Sequence, residues 1–242
     1  MEDIRGNLVK VHDRINSAAQ RAERSADEIT LVAVSKTRTP EEINTAIDAG
    51  VTDIGENKVQ EIMDKFDAIK PVRWHMIGHL QTNKVKYIID KVDLIHSVDS
   101  LKLAKEIEKR AAQHDKTMDI LIQINPAQEE SKFGVSLDET RELIGQILDT
   151  CEHIRIRGLM SVAPIAEDPN DVRVYFEEVR KQYEEFGKIE HPRLDFAYLS
   201  MGMSHDFEVA IEAGSNLIRV GSAIFGARDY EAYRREHNGG NQ

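Results

Sequence analysis

The chain has 242 residues, with 32 Lys and Arg against 43 Asp and Glu, a formal charge of −11 before histidine is counted. A negative field repels phosphate backbones and anionic lipid, which argues against nucleic acid and membrane surfaces as partners. The single cysteine, Cys151, excludes an internal disulfide and a Cys-x-x-Cys zinc or redox pair, so a reducing compartment, the cytoplasm, is expected.

In chain order, Ile4, Leu8, Val11 and Ile15 recur at three- and four-residue intervals among charges and predict an amphipathic outer helix. The same N-terminal stretch lacks the apolar segment of a secretory signal, and no apolar run approaches the roughly 18 residues that cross a bilayer. Next comes the apolar strand TLVAVS, then a helix opened by Thr39 as N-cap, Pro40 at the first position and Glu42 closing a capping box, and ended at Gly50. Further strands are predicted at VTDIGE, VRWHMIG, VDLIHSV, MDILIQIN, IRIRGLMSV, DFAYLS and NLIRVG, with a helix between each and the next. Eight short buried strands alternating with helices imply parallel βαβ units, and eight is the count of a closed (β/α)8 TIM barrel. A doubly wound open sheet is the competing α/β architecture. No linker interrupts the series, so residues 1–230 read as one domain with an extra N-terminal helix, followed by a flexible tail over 231–242.

In such a barrel the active groups project from the C-terminal strand ends. The polar residues found there are Lys36, Asn57, His79, Ser97, Asn125, Ser161, Ser200 and Arg219. Lys36 either snorkels to water or, held against apolar walls, presents a neutral amine that can condense with an aldehyde. LSMGMSHDFEVAIEAG ends a strand in small residues, with Ser204 or Asp206 as the cap of the next helix. RVGSAIFG repeats the device, Gly221 allowing close backbone approach and Ser222 offering a hydroxyl. Two such turns after strands seven and eight are either ordinary capped helices or a phosphate cradle. Arg219, flanked by Ile218 and Val220, needs a buried acceptor, either a protein carboxylate or a ring nitrogen of a ligand. His75 and His79 have the spacing that chelates zinc on a helix, but on a strand four residues span about 13 Å, and no metal site is expected. His79 is then a helix-capping or surface histidine, or a group facing the mouth. Met201 and Met203 read as packing, and Lys132–Gly134 as a mouth loop.

Taken together, VAVSKT, IGENKVQE, WHMIGHLQTNK, LSMGMSHDFEVAIEAGS and IRVGSAIFGAR resemble the pyridoxal phosphate homeostasis protein family, from about Leu31 to Arg228. The resemblance implies a single (β/α)8 barrel similar to the N-terminal domain of alanine racemase, binding pyridoxal 5′-phosphate (PLP) without established catalysis. By position it implies that Lys36 forms the internal aldimine and that Ser204, Gly221 and Ser222 hold the phosphate. Arg219 then faces the pyridine nitrogen, and Asn57, His79, Ser200 and Met201 lie near the ring. Ser222 and Asn216 stand where the family pattern has threonine. An Arg partner leaves the ring nitrogen unprotonated and weakens the electron sink. Alanine racemase adds a tyrosine base from a second domain, and this chain ends soon after strand eight, so a two-base racemase is not expected. The expectation is a monomeric PLP carrier or regulator, with apo PLP-dependent enzymes as partners. A weak amino acid racemase or lyase is the alternative, and a Schiff-base aldolase is suggested by lysine and phosphate cradle alone.

Overall fold

The computed structural model describes residues 3–129 and 132–227. Eight parallel strands close into a barrel in sequence order: β1 (Thr30–Val34), β2 (Asp53–Glu56), β3 (Arg73–Met76), β4 (Leu94–Val98), β5 (Met118–Ile124), β6 (Ile154–Ser161), β7 (Leu194–Met203) and β8 (Leu217–Val220), with β8 pairing back onto β1. The open sheet is thereby excluded.

The helices are α1 (Ile4–Arg21), α2 (Pro40–Asp48), α3 (Val59–Lys65), α4 (Leu101–Gln113), α5 (Leu137–Thr150), α6 (Arg173–Phe186), α7 (Phe207–Glu212) and α8 (Ser222–Phe225). The capping box predicted for α2 is formed: Thr39 Oγ1 accepts from Glu42 N, and Glu42 Oε2 accepts from Thr39 N. Gly50, at φ +103°, makes the left-handed exit that an L side chain resists. One predicted helix differs. Between β3 and β4 the chain forms only a 3₁₀ stretch, Thr82–Tyr87, whose N-cap Gln81 makes no side-chain cap bond. Val85 within it and Ile88, Ile89 and Val92 in the segment that follows are nonetheless fully buried, so this irregular connection still covers the barrel with apolar side chains.

Because strand side chains alternate, one set packs outward under the helices and the other fills the barrel. The inner set places Val32, Leu94, Leu121, Met160 and Leu217 in one apolar layer. Above it toward the C-terminal mouth come polar side chains, which form the floor of the site. Gly158 permits the β6–β7 pairing: it sits at φ +140°, and a Cβ there would lie 1.8 Å from the carbonyl oxygen of Tyr198.

Helix α1 covers the barrel beside α7 and α8, burying Ile4, Leu8, Val11 and Ile15. Four such side chains contribute on the order of 6–12 kcal/mol, an upper bound. Arg14 pairs with Glu208 and Arg21 with Glu212, while Arg24 donates to the carbonyls of Ile211 and Ser215, so α1 holds the α7–β8 segment that enters the site. The segment 231–242, expected as a flexible tail, lies outside the described residues.

Candidate functional site

At the C-terminal mouth a cavity of about 350 Å3 is lined by Val34, Lys36, Asn57, Ile77, Val162, Met203, Ser204, His205, Arg219, Gly221 and Ser222. Six of the nine residues expected at the site therefore share one wall: Lys36, Asn57, Ser204, Arg219, Gly221 and Ser222. Val34, Ile77 and Val162 supply the apolar surface a flat ring requires.

Lys36 sits in the turn leaving β1, and the residues on either side of it are pinned by a buried ionic cluster. Lys65 Nζ donates to the Ser35 carbonyl at 3.0 Å, to Glu56 Oε1 at 2.9 Å and to Glu61 Oε2 at 2.8 Å. Ser35 Oγ lies 2.7 Å from the same Glu56 oxygen, and Thr37 N donates to Glu61 Oε2 at 2.6 Å. Thr37 has φ +64°, a left-handed conformation costing a β-branched residue on the order of 1 kcal/mol, and the bond to Glu61 offsets that strain. Two carboxylates share one ammonium here. Burial pushes the Glu56 carboxyl up to about 7, against the opposing pull of Lys65. Burial also lowers the Lys65 ammonium, but Glu56 and Glu61 outweigh it and hold its pKa above the ordinary value.

At the other end of the cavity the two turns after β7 and β8 converge. Ser204 Oγ accepts from Gly221 N at 3.1 Å and from Ala223 N at 3.4 Å, tying the turn after β7 to the start of α8, and Ser204, Gly221 and Ser222 all line the cavity there. The capping reading of this stretch is corrected. Asp206 precedes α7 but makes no side-chain bond into it, accepting instead from Met203 N, and Ser204 serves α8 rather than α7. A Cβ on Gly221 would sit 3.3 Å from Val34, so the glycine keeps this corner open.

Arg219 is 4% exposed and meets no carboxylate directly; Nη1 donates to Ser200 Oγ at 2.5 Å and Nη2 to the Ser161 carbonyl at 2.8 Å. Burial pushes its pKa down to about 10, against the attraction of Asp206, and the group stays cationic at neutral pH. Its remaining N–H groups are available to an acceptor in the cavity.

The other three expected residues lie elsewhere. Ser200 is wholly buried behind Arg219. The alternation that turns Ser200 inward turns Met201 outward, into the core under the helices. His79 stacks on Phe133 at 3.8 Å between ring centroids and lies 4.0 Å from Asp99, on the rim. His75 faces the barrel interior, so the two histidines do not meet. Asn125 holds its own loop through Glu129 and Lys132, and Lys132 Nζ donates to the Ala163 carbonyl. Asn216, unexplained by sequence, accepts from Leu199 N and donates to the Ala197 carbonyl, stapling β7 to the start of β8.

These features define a class: a closed (β/α)8 barrel with a lysine, two converging small-residue turns and a buried arginine around its C-terminal mouth. The alanine racemase N-terminal domain family matches residues 7–229. A pyridoxal phosphate homeostasis protein of Aquifex aeolicus is 44% identical over 92% of this chain and 97% of its own length, and that of Escherichia coli K12 is 42% identical over 95% and 99%. The solved structure of PipY from Synechococcus elongatus PCC7942 with PLP bound superposes with a TM-score of 0.75 at 30% identity, over 89% of this chain and all of that one. The chain belongs to the pyridoxal phosphate homeostasis protein family.

Proposed function

We propose that this protein binds PLP reversibly and takes part in its homeostasis as a carrier or regulator. The convergence of Lys36, Ser204, Gly221, Ser222 and Arg219 on one cavity carries the reading, in a family whose members are named for PLP homeostasis and not for a reaction. The residues fit the group: an amine for the aldehyde, hydroxyl and backbone donors for the phosphate, a guanidinium for the ring nitrogen, and apolar walls for the ring.

In this reading PLP supplies a reactive aldehyde, which the Lys36 amine holds as an imine with loss of water. Ser204, Gly221 and Ser222 bind the phosphate. Arg219 donates to the ring nitrogen and, being cationic, keeps that nitrogen unprotonated. Asn57 borders the ring from the end of β2. The Glu56–Lys65–Glu61 cluster fixes the turn from which Lys36 reaches, and Ser200 orients Arg219. The reading extends to a cytoplasmic monomer of one domain that hands PLP to apo-enzymes.

The protein loaded with PLP is dialysed exhaustively and then mixed with an apo PLP-dependent enzyme. Retention through dialysis followed by transfer supports the carrier. Exchange of the Cα proton of single amino acid enantiomers in deuterated water, at a rate ordinary for PLP enzymes and lost in Lys36→Ala, would establish the racemase or lyase alternative instead.

A further inference from the structure

Below the cavity a hydrogen-bonded chain crosses the barrel interior from β8 to β2. Arg219 Nη1 meets Ser200 Oγ on β7 at 2.5 Å, Ser200 Oγ meets His96 Nδ1 on β4 at 3.0 Å, His96 Nε2 meets His75 Nδ1 on β3 at 2.9 Å, and His75 Nε2 meets Asp53 Oδ1 at 2.9 Å. Asp53, His75, His96, Ser200 and Arg219 are all buried, none more than 4% exposed.

Donor and acceptor rules fix the direction of every link. A guanidinium only donates, so Ser200 Oγ accepts from Arg219, and its own proton goes to His96 Nδ1, its other partner. Complete burial, with the charge of Arg219 adding to it, holds the pKa of His96 well below the ordinary value, and the ring is neutral. With Nδ1 accepting, His96 carries its proton on Nε2 and donates to His75 Nδ1. His75 then carries its proton on Nε2 and donates to Asp53. Burial raises the Asp53 carboxyl, but the bonds from His75 and Thr52 and the charge of Arg73 outweigh it and hold the pKa below the ordinary value. The chain thus joins a buried cation to a buried carboxylate through three neutral groups, all donating the same way, an arrangement in which each bond polarises the next.

We propose that Asp53, His75, His96 and Ser200 are positioning residues for the cofactor site, which through this one-way chain hold the Arg219 guanidinium in place as the N–H donor to the ring nitrogen of PLP. The proposal rests on the PLP reading above. None of the three residues beyond Ser200 lines the cavity, and each acts only through Arg219.

Two measurements on the full-length protein test it. In the apo-protein with ¹⁵N-labelled histidine, both imidazoles are expected as neutral Nε2–H tautomers at pH 7; a charged ring or an Nδ1–H tautomer at either position overturns the chain. In the second, PLP labelled with ¹⁵N in the ring is bound, and its signal is compared across variants. Ser200→Ala and His75→Leu are expected to move it toward that of free unprotonated PLP. His75→Gln, whose amide offers one acceptor and one donor, is expected to stay near wild type. Thermal melts identify any variant that fails to fold; Ser200→Ala, which removes a single oxygen, then decides. If Arg219→Gln moves the ring signal and neither chain variant does, the positioning role is wrong while the site reading stands. If Arg219→Gln itself leaves the signal unmoved, the assigned orientation of PLP is wrong and the proposal falls with it, whatever the histidine tautomers.

Discussion

Glu56→Gln separates the electrostatics of the Lys36 platform from its packing. In the folded protein the Glu56 carboxyl titrates at about 7 against an ordinary value of 4.5, because burial disfavours its charge more than Lys65 restores it. The raised value means that the fold prefers the protonated form. Stability from this group is therefore fully present below pH 4.5 and is lost as pH rises through about 7. Linkage over these two values gives a loss on the order of 2–3 kcal/mol between pH 5 and pH 8. Glutamine is nearly isosteric, its carbonyl can accept from Lys65 and Ser35, and it does not titrate. The variant should therefore gain on the order of 2–3 kcal/mol on wild type between pH 5 and pH 8, whatever its offset at either pH. Urea unfolding of both apo-proteins at the two pH values measures the difference, in which the titration of distant groups cancels. Parallel stability curves would refute the reasoning and show that the carboxylate is accommodated as an ion.

Other substitutions probe separate parts of the account. Ser204→Ala removes an oxygen placed among the donors of the phosphate corner and is expected to weaken PLP binding about tenfold or more, the worth of a hydrogen bond to a charged group. Pyridoxal, which lacks the phosphate, should bind the variant and wild type equally, and fluorescence titration with both ligands reads the contrast. Gly158→Ala places a Cβ against the Tyr198 carbonyl at φ +140° and should destabilise the barrel by at least about 3 kcal/mol; a thermal melt within a degree of wild type would contradict the β6–β7 geometry. Leu8→Ala, at a 2% exposed position on α1, should cost about 2–5 kcal/mol in chemical denaturation, and a negligible effect would mean that α1 does not pack on the barrel.

The barrel was legible because its signals are local. Alternating apolar strands, the Thr39–Glu42 box and Gly50 each state their structure within a few residues. The strand-end rule brings Lys36, Asn57 and Arg219 to one mouth, and the two turns after strands seven and eight add Ser204, Gly221 and Ser222, without any knowledge of long-range contacts. Met201, which the residues themselves read as packing and only the family resemblance placed near the ring, packs in the core, as period-two alternation from Ser200 requires. The Glu56 cluster has a trace in sequence: a carboxylate at the end of β2, with Glu61 and Lys65 one helical turn apart on the next helix. His75 and His96 likewise stand in the middle of apolar strands, an anomaly that calls for partners. They bond each other and Asp53 on the neighbouring β2, while Ser200 on β7 comes within hydrogen-bond distance of His96 only through closure of the barrel. Asn216 needed the structure outright, because its role depends on how β7 enters β8.

The account turns on Lys36. Visible absorption spectra of the protein with PLP, recorded for wild type and Lys36→Ala, with the borohydride-reduced adduct located by mass spectrometry, test it most directly. The account predicts an imine band that is absent from the variant and a reduced adduct on Lys36 alone. An imine band that survives in Lys36→Ala, or labelling spread over surface lysines, would contradict it.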